Sequence, residues 1–159
     1  MVDSTPGELS PKRLLVSWLP AVLWAGLIFY LSAQSEVAAP GPVGRLPGWT
    51  YLGHWCEYFV LGALLYRGVQ LSWGRSVRQG QDAPATGGAP GRGGELSRSG
   101  IYLAAIVIGA LYAASDEWHQ AYVPGRFADI FDWLTDLAGA LLGALAVAVW
   151  HLHRDHKQP

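Results

Sequence analysis

The chain has 159 residues, of which 51% are hydrophobic and 14% charged, with a formal net charge of −1. Ordinary soluble domains carry about 25% charged residues, so the balance points away from water and toward a lipid environment. The length suits one small bundle, a single domain over residues 1–159, with no second soluble domain and no basic patch for nucleic acid.

Four apolar segments are predicted to be membrane-spanning helices: Leu14 to Ser32, Trp49 to Leu71, Ile101 to Tyr122 and Ile130 to Trp150. Each is close to the 20 or so residues that a helix needs to cross about 30 Å of hydrocarbon. The first follows Lys12 and Arg13 and so has the look of a signal peptide. Its apolar run exceeds the usual core of about 7–15 residues and further spans follow, so it reads as a retained helix.

Between the second and third segments, residues 74–99 are rich in Gly, Arg and Pro without periodicity, and are expected to be disordered. Pro40, Pro42, Pro47 and Pro124-Gly125 mark turns in the two shorter connections. Nine basic residues (Lys12, Arg13, Arg67, Arg75, Arg78, Arg92, Arg98, Arg154 and Lys157) fall on one side of this arrangement and two, Arg45 and Arg126, on the other. The positive-inside rule then places both termini in the cytoplasm. The expected fold is an all-α polytopic bundle of four transmembrane helices. Cys56 is the single cysteine, which rules out an intrachain disulfide, and it reads as a small packing residue.

Polar residues interrupt this apolar background in one layer. Between Ser115 and Asp136 stand Asp116, Glu117, Asp129, Asp132 and Asp136, with His119 and Arg126. Ionisable groups at membrane depth cost roughly 2.5 kcal/mol or more each unless they face a partner or a wet cavity, so they mark a functional site by default. At 1.5 Å per residue, His54, Asp116 and Asp136 lie about 7, 8 and 9 Å inside their helices from the extracytoplasmic end. Helical phase agrees. His54, Glu57, Tyr58, Leu61 and Gly62 share one face, as do Gly109, Tyr112, Asp116, His119 and Gln120. Asp129, Asp132, Asp136, Gly139 and Gly143 form a third stripe, whose glycines would let helices approach closely. Glu117 falls about 100° from Asp116, at the edge of the cluster.

Several chemistries fit these residues. His54, Glu57, Asp116, Asp132 and Asp136 are candidate acids and bases, while Tyr58, Gln120 and Arg126 are candidate ligand-binding groups. Arg126 is either an ion-pair partner for Asp129 and Asp132 or a planar fork for a phosphate or carboxylate. His54-x-x-Glu57 and Asp116-x-x-His119 resemble the i, i+3 pairs of metal sites in helical bundles, so His54, Glu57, Asp116 and His119 are candidate ligands for a divalent cation. A hydrogen-bond network joining the helices is the competing reading. Ser32 and Ser115 lack a hydrolase context and are expected to bond to carbonyls of their own helices. The tryptophans read mostly as an interfacial belt. A transport path is disfavoured because the cytoplasmic halves of the helices offer almost no polar relay.

The ordered set His54-Trp-Cys-Glu57-Tyr58, Ser115-Asp-Glu-Trp-His-Gln120, Val123-Pro-Gly-Arg126, Asp129, Asp132, Asp136 and Gly139 resembles the VanZ-like family of small bacterial integral membrane proteins. The likeness covers the last three helices, with a looser echo in Leu31-Ser-Ala-Gln-Ser35. It implies a cell-envelope protein, linked through the family's namesake to resistance against teicoplanin-type glycopeptides. Its partner would be a membrane lipid or lipid-linked envelope precursor. The chain departs from the family pattern at Tyr51, where a basic residue is frequent, and at Asp136, where Asn is frequent. Both departures make the site more acidic.

Overall fold

A computed structural model describes residues 11–34, 48–73 and 96–155. They form four helices: α1 (Pro11–Ser32), α2 (Trp49–Trp73), α3 (Arg98–Gln120) and α4 (Ile130–Asp155). There is no strand among the described residues. The expectation of disorder falls on residues 74–99, of which 74–95 lie outside the described set.

Three helices are long and apolar enough to cross a membrane: α1 over Leu14–Ser32, α3 over Arg98–Gln120 and α4 over Ile130–Arg154. The second helix has the length, at 25 residues, but its apolar run is broken by His54, Glu57, Arg67 and Gln70. Its position explains how such a helix is accommodated. It runs along α4 and also packs on α1 and α3, so it is the most enclosed of the four.

The α2–α4 contact is a backbone contact. Gly62 lies against the Ala140 carbonyl, Gly139 against the Trp55 carbonyl and Gly143 against the Phe59 carbonyl, so a Cβ at any of these positions would strike main chain. Gly139 and Gly143 are four residues apart, the small-xxx-small spacing that brings membrane helices together without a hydrophobic driving force. Polar links join the other helices. Trp18 Nε1 donates to Ser72 Oγ at 2.9 Å and Trp24 Nε1 to the Glu57 carbonyl at 2.8 Å, tying α1 to α2. Tyr112 Oη donates to the Ala25 carbonyl at 2.6 Å and Tyr102 Oη to the Leu141 carbonyl at 3.1 Å. Trp18 and Trp24, both half-buried, therefore turn toward α2.

The distribution of polarity is inverted relative to a soluble protein. Leu15, Val16, Val22, Leu23, Leu103 and Leu111 are all more than half exposed, whereas Asp116, Gln120 and Asp136 are buried. In water such apolar faces would drive association; in hydrocarbon they match the solvent and the polar groups are the ones that must be enclosed. Cys56 sits on the exposed surface, not in the packing.

Candidate functional site

The hairpin between α3 and α4 organises the polar layer. Val123, Pro124, Gly125 and Arg126 form a turn closed by Arg126 N–H on the Val123 carbonyl at 3.1 Å. Gly125 has φ +83°, as the third residue of a type II turn requires, and Pro124 presets the position before it. Asp129 then caps α4. Its Oδ1 accepts from Phe131 N–H at 2.8 Å, and its carbonyl accepts the first intrahelical bond from Trp133 at 3.2 Å. Glu117 Oε2 accepts from Asp129 N–H at 3.0 Å, which folds the loop back onto α3 and buries Glu117. The edge position expected for Glu117 is thus corrected, because the loop supplies a cover that helical phase does not reveal.

Two hydrogen-bonded groups result. In the first, Asp116 Oδ2 accepts from Ser32 Oγ at 2.8 Å and from Gln120 Nε2 at 3.1 Å, with all three side chains buried between α1 and α3. Ser32 therefore bonds across helices, contrary to the expectation of a carbonyl in its own helix. Ser115 does bond within its helix, to the Tyr112 carbonyl at 2.7 Å.

In the second group, His54 Nδ1 lies 3.1 Å from Asp136 Oδ1, and Arg126 Nη2 lies 3.4 Å from His54 Nε2. A guanidinium can only donate, so His54 Nε2 carries the lone pair and Nδ1–H donates to Asp136. The imidazole is oriented on one side by a fully buried aspartate and met on the other by the Arg126 guanidinium. Among the described residues, no carboxylate lies within ion-pair distance of Arg126. The ion pairs of Arg126 with Asp129 and Asp132 do not form here; Asp129 is engaged as a helix cap.

The remaining predicted residues take distinct places. Glu57 is half-buried and lines a pocket of about 100 Å³ together with Leu31, Ser32, Thr50, Gly53, His54 and Arg126. The ionisable groups around it are His54, Asp136, Asp116 and Arg126, so both hydrogen-bonded groups border one space. Asp132 is half-buried in the first turn of α4, near His54, Asp129 and Arg126. Tyr58 is fully buried, with its ring 6.0 Å from that of Tyr112. His119 stacks on Phe29, with ring centroids 4.2 Å apart. The quartet His54, Glu57, Asp116 and His119 does not converge as a ligand set; the trio with ligand atoms within 4.8 Å of one another is His54, Glu117 and Asp136.

Glu117 and Ser32 belong to the polar layer by position in the sequence, but their partners, the Asp129 N–H and Asp116, are not predicted from it. The signal for Glu117 was Asp129, an N-cap residue immediately before the last helix, which marks where the loop returns. No signal identified the partner of Ser32.

No curated protein and no solved structure shows a significant match. The VanZ/LLP1 family profile matches residues 17–151, which include all four helices almost entirely and every residue of the polar layer. The chain belongs to the VanZ/LLP1 family.

Proposed function

We propose that this membrane protein crosses the bilayer four times, with both termini in the cytoplasm, and that its polar layer recognises the anionic head group of a membrane lipid or lipid-linked envelope precursor on the extracytoplasmic side. The observation that carries this reading is the situation of Arg126. It is half-exposed and lines a pocket with His54 and Glu57, with the His54 imidazole as its hydrogen-bond partner and no carboxylate in ion-pair reach among the described residues. A planar donor fork placed in this way suits a phosphate or carboxylate. The bias of nine basic residues to one side supports the orientation, and enclosure of α2 by three neighbours supports its passage through the membrane.

The test is native mass spectrometry of protein extracted from its own membranes. Wild type should retain an anionic lipid species, Arg126→Ala should lose it and Arg126→Lys should retain part. A wild-type protein free of anionic lipid, or equal retention by Arg126→Ala, would overturn the reading.

One observation favours a second, catalytic reading. Asp136 holds His54 so that a lone pair at Nε2 faces the pocket side, the arrangement of a general base whose tautomer is fixed by a carboxylate. Under this reading Asp136→Asn would retain lipid and lose turnover of it. If the ligand is a cell-wall precursor, expression of wild type but not of Arg126→Ala would shift susceptibility to teicoplanin-type glycopeptides.

A further inference from the structure

We propose that His54, Glu117 and Asp136 form a binding site for a divalent metal ion, with imidazole Nδ1 and one oxygen from each carboxylate as ligands. Three helices converge to build it, since His54 lies on α2, Glu117 on α3 and Asp136 on α4. One ligand-capable atom from each lies within 4.8 Å of the others, a span bridged by an ion with bonds of about 2.0–2.4 Å. His54 Nδ1 and Asp136 Oδ1 are already 3.1 Å apart, near the roughly 3.3 Å that separates neighbouring ligands of a tetrahedral ion with bonds of about 2.0 Å.

The second observation is the state of the two acids. Glu117 Oε1 and Asp136 Oδ2 are buried with no hydrogen-bond partner among the described residues, in side chains 7% and 0% exposed. Buried acceptors of this kind are normally satisfied, and a cation held by the two carboxylates compensates charge that the donors around them leave unmet. One imidazole with two carboxylates suits a borderline ion such as Zn²⁺ or Mn²⁺. The neighbouring acid Asp116 also has one buried oxygen, Oδ1, without a partner among the described residues, but it lies outside the trio and accepts on Oδ2 from Ser32 and Gln120.

Metal at Nδ1 takes the position of the proton that now points to Asp136. The imidazole stays neutral and its proton resides on Nε2 instead, exchanged through solvent. Nε2 then becomes a donor facing Arg126, also a donor, so the guanidinium turns away toward the pocket. Two N–H groups would then face an anion there. This consequence rests on the head-group reading above; the metal site itself does not.

The experiment uses full-length protein with His151, His153 and His156 replaced by Gln, which removes competing imidazoles near the C-terminus. Chelator-treated protein in detergent is titrated with Zn²⁺ by calorimetry and with Co²⁺ by visible absorption. One ion per chain is expected, with affinity falling at least tenfold in Glu117→Gln and Asp136→Asn and unchanged in Asp116→Asn and His119→Gln. Pulsed electron paramagnetic resonance of the protein loaded with Cu²⁺ should show imidazole nitrogen coupling, a readout that needs no variant in the trio. Absence of Zn²⁺ and Co²⁺ binding, absence of that coupling, or loss of binding in the Asp116 and His119 variants alone would overturn the proposal. Added Zn²⁺ should also raise retention of anionic lipid. Metal binding by the trio without that increase would uphold the metal site and count against the head-group reading.

Discussion

Ser32 closes α1 with its hydroxyl 2.8 Å from Asp116 Oδ2 on α3, and both side chains are buried. The bond is one of few links between these helices, which touch each other far less than α2 and α4 do. Its loss would leave a buried carboxylate, whose Oδ1 is already without a partner, with Gln120 as its remaining donor. Ser32→Ala should therefore cost about 1–3 kcal/mol. Unfolding of detergent-solubilised protein followed by helical circular dichroism measures it. An unchanged midpoint would mean that water replaces the hydroxyl.

The glycines separate into two classes with opposite expectations. Gly143 meets the Phe59 carbonyl and Gly62 the Ala140 carbonyl, so alanine at either forces α2 and α4 apart along their main contact. Gly26 on α1 has nothing within 4 Å of an added Cβ. Gly143→Ala should destabilise by at least about 2 kcal/mol, within the range seen for overpacking. Gly26→Ala should be neutral or stabilise by up to about 1 kcal/mol through helix propensity. Comparing the two by unfolding in the same detergent tests whether main-chain contact or composition sets helix association.

Periodic features were readable from residues alone and folded-back features were not. Apolar run lengths located all four helices to within about five residues, because an unbroken apolar run marks a continuous element, and three of them are long and apolar enough to cross a membrane. Depth counting brought His54, Asp116 and Asp136 to one layer, since a rigid rise per residue transfers position into distance. The stripe of Gly139 and Gly143 likewise became the α2–α4 seam. The partners of Arg126, Asp129 and Glu117 escaped the reading because a type II turn, not a helix, sets their directions. Helical phase put Glu117 at the rim; one loop N–H at 3.0 Å puts it inside. Composition also made α2 look like its neighbours, whereas its polar residues depend on three enclosing helices.

Gly125 connects that turn to function. With φ +83°, it occupies a conformation that costs an L-residue roughly 1–2 kcal/mol, although an added Cβ would meet nothing within 4 Å. The strain falls on the turn that presents Arg126. Gly125→Ala should lower stability by about 1 kcal/mol and reduce retention of anionic lipid, while Gly125→Asn, which tolerates this region better, should do less of both. Unfolding and native mass spectrometry on the same preparations check the pair. Lost lipid with unchanged stability would locate the effect in the placement of Arg126 alone.

Glu57 supplies the most discriminating charge test. Its carboxylate shares the pocket of about 100 Å³ with Arg126 and has no hydrogen-bond partner among the described residues. An anion entering beside Arg126 must approach this second negative group. At an effective dielectric near 20, typical of pairs close to a protein surface, two unit charges about 6 Å apart repel by roughly 3 kcal/mol before screening by salt. Glu57→Gln keeps the shape and removes the repulsion, so binding of an anionic head group should tighten by about tenfold, with a weaker response to added salt. Titration of anionic lipid into purified protein at low and moderate ionic strength measures both. Weaker binding in Glu57→Gln would instead make Glu57 a direct acceptor for a hydroxyl or cationic group of the ligand, and Arg126→Ala in the same titration would show whether the anion contact persists without it.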